Sequence, residues 1–148
     1  MVDHNSIEVL LVEDNMEDAE MTTRELIKNH LANHLFHVKD GAEALDFIFA
    51  TGKYTGIRDI RYPPKVILLD IQMPKINGIE VLREIKSNEL TKATPVIMLT
   101  SSKEDPDIQK CYKLGANSYI VKPVNFEDFT LAIKNLGFYW LILNQPNF

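Results

Sequence analysis

Cysteine is almost absent from this chain: Cys111 is the single one among 148 residues. No intramolecular disulfide can form, which fits a reducing compartment. The run "QKCYKLG" around it reads as a helix in which Cys111 is a small apolar filler. Long apolar runs are missing too. Nothing approaches the roughly 20 consecutive apolar residues that a membrane span requires. The N-terminus, "MVDHNSIEVLLVEDN", lacks the basic start and apolar core of a signal peptide. These absences predict a cytoplasmic protein with no membrane partner. The chain has no cluster of Lys and Arg, and its net charge is -5, which argues against direct nucleic-acid binding by attraction to phosphates. It has no glycine-rich loop after its first strand-like run. The segment there, "EDNMED", repels phosphate, which disfavours a dinucleotide-binding domain. Repeats, low-complexity stretches and a second domain are also missing.

What is present suits one domain with one sizeable core over residues 1–148: 45% of the residues are hydrophobic and 25% charged. Short β-branched runs alternate with longer amphipathic stretches. "IEVLLVED", "HLFHV", "KVILLD", "TPVIMLT" and "SYIVK" read as strands. The stretches "DAEMTTRELIKNHL", "AEALDFIFA" after an Asp40-Gly41 turn, "GIEVLREIKS", "PDIQKCYKLG" and "NFEDFTLAIKNLGFYWLIL" read as helices. Asp105-Pro106 supplies an N-cap and a first-turn proline, and Gly115 a C-cap. The first, third and fourth strands are continuously apolar, as expected when helices cover both faces of a parallel sheet. The pattern predicts a doubly wound five-stranded α/β domain with right-handed crossovers. The one long connection, Thr51 to Pro64, contains two Gly, two Pro and three basic residues and reads as an exposed surface loop.

In such sheets ligands bind beyond the carboxyl ends of the strands. Here those ends carry Glu13-Asp14, Asp70, Thr100-Ser101 and Lys122-Pro123. An unpaired carboxylate gains nothing at the tip of the apolar strand "VILLD", so Asp70 is expected at the sheet mouth with a partner. Three gathered carboxylates repel one another and raise the pKa of at least one unless a cation is present. Hard oxygen ligands of this kind suit Mg²⁺. Lys122 suits an incoming phosphoryl oxygen, and Thr100 can donate a hydrogen bond to it. Asp70 then reads as a nucleophile toward phosphorus, forming an aspartyl phosphate. Each residue has a plainer use. Asp14-Asn15 or Thr100 can cap helices, Glu13 can be a solvated acid, Asp70 a turn residue, and Lys122 a snorkelling surface lysine. Taken together, those uses require four strand ends to carry complementary groups by accident.

The ordered set "LLVEDN", "ILLDIQMPKINGIEVL", "VIMLTSS" and "GANSYIVKP" closely resembles receiver domains of two-component response regulators. That resemblance implies a CheY-like, flavodoxin-like fold with strand order 2-1-3-4-5. It implies Asp70 as phosphoacceptor, with Glu13, Asp14, Asp70 and the backbone carbonyl of Gln72 around Mg²⁺. It further implies that Thr100 and Lys122 contact the phosphoryl group, that Thr100 and Tyr119 act as coupled switch residues, and that the Lys122-Pro123 bond is cis. Gln72 and Ser102 flank the site and should tune hydrolysis. The chain reads as a stand-alone receiver rather than a conventional enzyme, phosphorylated by a sensor histidine kinase. Its long loop, its "GFYWLIL" extension and its length resemble the small regulators that partner bacterial and cyanobacterial phytochromes.

The alternative of a Mg²⁺-dependent phosphohydrolase with an Asp nucleophile expects a "DxDxT" pattern after the first strand. The candidate nucleophile here lies on the third. A pseudo-receiver would lack an acid, the Thr or the Lys, and none is lacking. His4, His30, His34 and His37 read as surface residues away from the strand mouths. On the last helix, expected over about 126–144, Phe126, Phe129, Ile133, Leu136, Trp140 and Leu143 form one apolar stripe. Phe138, Tyr139, Leu141 and Ile142 lie off that stripe, leaving the helix end apolar nearly all round. That pattern predicts a homodimer or partner surface.

Overall fold

The computed structural model describes residues 3–29 and 34–137. Five parallel strands, β1 (Val9–Val12), β2 (Leu35–Val38), β3 (Val66–Asp70), β4 (Val96–Thr100) and β5 (Ser118–Val121), form one sheet in the order β2-β1-β3-β4-β5. Helices α1 (Met16–Lys28), α2 (Gly41–Phe49), α3 (Gly78–Lys86), α4 (Asp107–Leu114) and α5 (Phe126–Asn135) follow the strands in turn. This is the flavodoxin-like receiver topology.

Every residue of β1, β3 and β4 is buried, because helices cover both faces of the sheet. Alternate residues serve different cores. Leu10, Val12, Ile67, Leu69, Val96 and Met98 pack with α2, α3 and α4. Val9, Leu11, Val66, Leu68, Ile97 and Leu99 face Ala19 and Leu26 of α1 and Phe129, Ala132 and Ile133 of α5. The helix starts are fixed by side-chain oxygens: Asn15, Asp40, Asn77 and Asn125 each accept a hydrogen bond from the third residue after them.

Two sequence expectations need correction. The Thr51–Pro64 connection is not simply an exposed loop. It forms a 3₁₀ turn at Gly52–Tyr54, buries Tyr54 and sends Arg58 inward to 6% exposure. The Arg58 guanidinium donates to the carbonyls of Phe47 (2.7 Å), Tyr62 (2.9 Å) and His4 (3.1 Å), and lies 4.4 Å from the Phe47 ring centroid. α2 has no basic residue in its last turn, so Arg58 supplies the missing cation at that helix end.

The last helix does not run unbroken to 144 either. α5 stops at Asn135, the Leu136 N–H closes onto the last carbonyls, and Gly137 takes a left-handed φ of 81°. A glycine in that conformation just past a helix is a stop signal. Phe129 and Ile133 of the expected stripe are buried, and Phe126 and Leu136 pack partly against the same core. Trp140 and Leu143, and the residues Phe138, Tyr139, Leu141 and Ile142 of the expected partner surface, lie outside the described residues.

Candidate functional site

The carboxyl ends of β1, β3, β4 and β5 meet at one edge. Glu13 and Asp14 directly follow β1, Asp70 closes β3, Thr100 closes β4, and Lys122 directly follows β5. Gly78 allows α3 to start against this edge. A Cβ there would sit 2.1 Å from the Asp70 carbonyl oxygen, so no other residue fits without displacing the backbone under the carboxylate. The Lys122-Pro123 bond is cis.

The Lys122 ammonium lies 3.2 Å from Glu13 Oε1, 3.2 Å from Asp18 Oδ2 and 3.3 Å from Asp70 Oδ2. The other oxygens of the two buried acids take main-chain donors: Asn15 N–H donates to Glu13 Oε2, and Gln72 N–H to Asp70 Oδ1, each at 3.2 Å. Burial alone would lower the Lys122 pKa, but Asp70 and Glu13 outweigh it and hold the ammonium firmly charged. Glu13 behaves oppositely. Burial pushes its carboxyl up to about 8, its hydrogen bond and like charge with Asp70 add to the rise, and Lys122 and the Asn15 N–H only partly offset it. One ammonium does not neutralise this cluster.

Glu13, Asp14 and Asp70 each bring a carboxylate oxygen within 4.8 Å of the others. An all-oxygen set crowded enough to retain a proton at neutral pH fits a hard divalent cation, which would take that proton's place.

The response regulator receiver domain family model matches residues 9–134. The chain belongs to that family. It is 36% identical over 137 residues to the probable methanogenesis regulatory protein FilR2 of Methanothrix harundinacea, a match covering 93% of this chain and 85% of that one. Among solved structures it is similar to the bacteriophytochrome response regulator AtBRR, with a TM-score of 0.84 and 44% identity over 94% of this chain and 98% of that one. It is also similar to the Mn²⁺-bound form of response regulator Rcp1, with a TM-score of 0.71 and 33% identity over 91% and 94% of the two chains. As a receiver, the domain is a phosphoacceptor module rather than a conventional enzyme.

Not every residue expected at the receiver's site faces it. Thr100 is fully buried at the end of β4, and its hydroxyl lies 3.1 Å from both Asp105 Oδ2 and the Ser102 carbonyl. Its polar contacts are to the β4–α4 loop rather than to Asp70. Tyr119 is half-buried on β5, with its ring edge-on to Tyr112 of α4 at 6.3 Å. The Gln72 and Ser102 side chains are exposed beside the site.

Three contributors were missed by sequence reasoning. Asp18 sits in the first turn of α1, one turn beyond Asp14, and its carboxylate reaches Lys122. The i, i+4 spacing from Asp14 was the available signal. Asp105, expected as a helix cap alone, also meets the Thr100 hydroxyl. His37, expected on the surface away from the strand mouths, places its Nε2 2.8 Å from the Glu13 carbonyl. β2 pairs with β1 one residue before the acids, which is a register no local pattern announces. His4, also read as a surface residue, packs against Phe36, Phe47 and Tyr54.

Proposed function

We propose that this receiver accepts a phosphoryl group on Asp70 from a phosphohistidine of a sensor kinase, in a Mg²⁺-dependent reaction, and signals through changed partner binding. The observation that carries the reading is the single lysine, Lys122, spanning Glu13, Asp18 and the nearly buried carboxylate of Asp70 at the sheet mouth. In this reading an Asp70 oxygen forms a bond to phosphorus while the bond from phosphorus to the donor imidazole nitrogen breaks, its electron pair staying on nitrogen. Glu13, Asp14, Asp70 and the Gln72 carbonyl would hold the cation, which would supply positive charge for the phosphoryl oxygens. Lys122 gives up part of its ion pairing with Asp70 to meet a phosphoryl oxygen. Thr100 turns toward the same group, and Tyr119 follows it.

The kinase we favour is a bacterial phytochrome, on the support of the similarity to AtBRR. We place the exchange in the cytoplasm, consistent with a lone buried cysteine and with no membrane-spanning helix among the described residues. The apolar residues Phe138, Tyr139, Leu141 and Ile142 support a homodimer surface near the chain's end.

The deciding experiment is incubation with acetyl phosphate and Mg²⁺, followed by intact mass. Wild type should gain one base-labile phosphoryl group and Asp70→Asn none. Full labelling of Asp70→Asn would overturn the assignment. Light scattering tests the dimer: wild type should have twice the chain mass at micromolar concentration, and Phe138→Glu combined with Tyr139→Glu the mass of one chain.

A further inference from the structure

A buried hydroxyl near the site has its hydrogen-bonding capacity taken up by the β4–α4 loop. Thr100 has one hydroxyl proton and two acceptors at 3.1 Å, the Ser102 carbonyl and Asp105 Oδ2. The carboxylate is the stronger acceptor, because a hydrogen bond to an ionised oxygen is roughly twice as strong as one to a neutral oxygen. The same hydroxyl oxygen accepts from the Ser102 N–H at 3.3 Å. Asp105 uses its second oxygen, Oδ1, to accept from the N–H of Asp107, the first residue of α4, at 2.8 Å. One carboxylate therefore holds both the Thr100 hydroxyl and the start of α4. α4 in turn carries Tyr112, whose ring meets Tyr119.

We propose that Asp105 is a positioning residue that latches Thr100 away from Asp70 in the unphosphorylated receiver and ties its release to the start of α4. The proposal rests on the reading of Asp70 as phosphoacceptor and Thr100 as the residue that turns to it. When Thr100 swings toward a phosphoryl group, Asp105 Oδ2 loses its buried donor. The loop from Ser102 to Asp105 must then repack, and the cap on α4 repacks with it. That gives a route from Thr100 through Asp105 and Tyr112 to Tyr119, alongside any motion of Tyr119 itself. A helix cap alone would need only Oδ1; the contact from Oδ2 to Thr100 is what the latch adds.

Asp105→Ser tests it. Serine keeps an oxygen for the Asp107 N–H but is too short to reach Thr100. The Thr100 side-chain rotamer is read in phosphate-free, full-length protein from methyl three-bond couplings by NMR. The ratio of the rotamer facing Asp70 to the rotamer facing Asp105 should rise about tenfold, the factor by which a charge-assisted hydrogen bond exceeds the neutral one to the Ser102 carbonyl that remains. An unchanged ratio would overturn the latch, since a residue that only caps α4 leaves Thr100 where it was. The second measurement is the phosphorylated fraction at sub-saturating acetyl phosphate with Mg²⁺. Asp105→Ser should raise it in the wild-type background and leave it unmoved in a Thr100→Val background. An equal rise in both backgrounds would mean that Asp105 acts through the helix and not through Thr100. If wild type takes up no phosphate, the phosphoacceptor reading fails, and the rotamer ratio still judges the latch.

Discussion

In the proposed function a divalent cation takes the place of the Glu13 proton, and that exchange should depend on pH. With its pKa at about 8, Glu13 is ionised to about one-half at pH 8, about one-tenth at pH 7 and about one-hundredth at pH 6. A cation that needs the ionised form should therefore bind about 50-fold more weakly at pH 6 than at pH 8. An ordinary carboxylate, more than 95% ionised throughout, would give almost no change over that range. Titration calorimetry with Mg²⁺ in two buffers of different ionisation enthalpy measures both the affinity and the protons released. Close to one proton should leave per cation at pH 7, and Glu13→Gln should abolish both the release and the pH dependence. The same shift sets stability without the cation. The folded pKa lies above the unfolded value of 4.5, so the protonated acid's contribution is fully present below about pH 4.5 and is lost as pH rises through about 8. Added Mg²⁺ should flatten that loss. An affinity independent of pH, with no proton release, would refute the account of an acid cluster that one ammonium leaves short of positive charge.

Two further perturbations test the scaffold under the site. Gly78→Ala places a methyl group where only 2.1 Å is open to the Asp70 carbonyl oxygen, so either α3 or Asp70 must move by about 1 Å. Denaturant unfolding should show a loss of about 2–4 kcal/mol, and acetyl phosphate labelling should slow; a loss under about 0.5 kcal/mol with normal labelling would contradict the close approach. Arg58→Leu removes the donor to the Phe47, Tyr62 and His4 carbonyls, and thermal melts should show a cost of about 2–4 kcal/mol. A melt unchanged by the substitution would mean that the connection before β3 is the simple surface loop its composition suggests.

The layering and the chemistry of the sheet mouth are set by local composition. The unbroken apolar strands "VLLV", "VILLD" and "VIMLT" have no stable placement except between two helical layers, so the doubly wound sheet is written in local composition. Because the strands are parallel, the residues at their ends must come to one edge, which made Glu13, Asp14, Asp70, Thr100 and Lys122 legible as a group. Gly137 ends α5 between apolar residues that continue the helical pattern, so the pattern alone predicts a longer helix.

Which of those groups face one another depends on the folded chain. A side chain's direction depends on partners far away in sequence. Lys122 reaches Asp18 across 104 positions, and Arg58 reaches the His4 carbonyl across 54. His37 meets the Glu13 carbonyl only because of the register of β2 on β1. Thr100 could be placed at the site by its strand, but which way its hydroxyl turns was settled by the stronger acceptor within reach. In the folded chain that acceptor is Asp105, five residues further on.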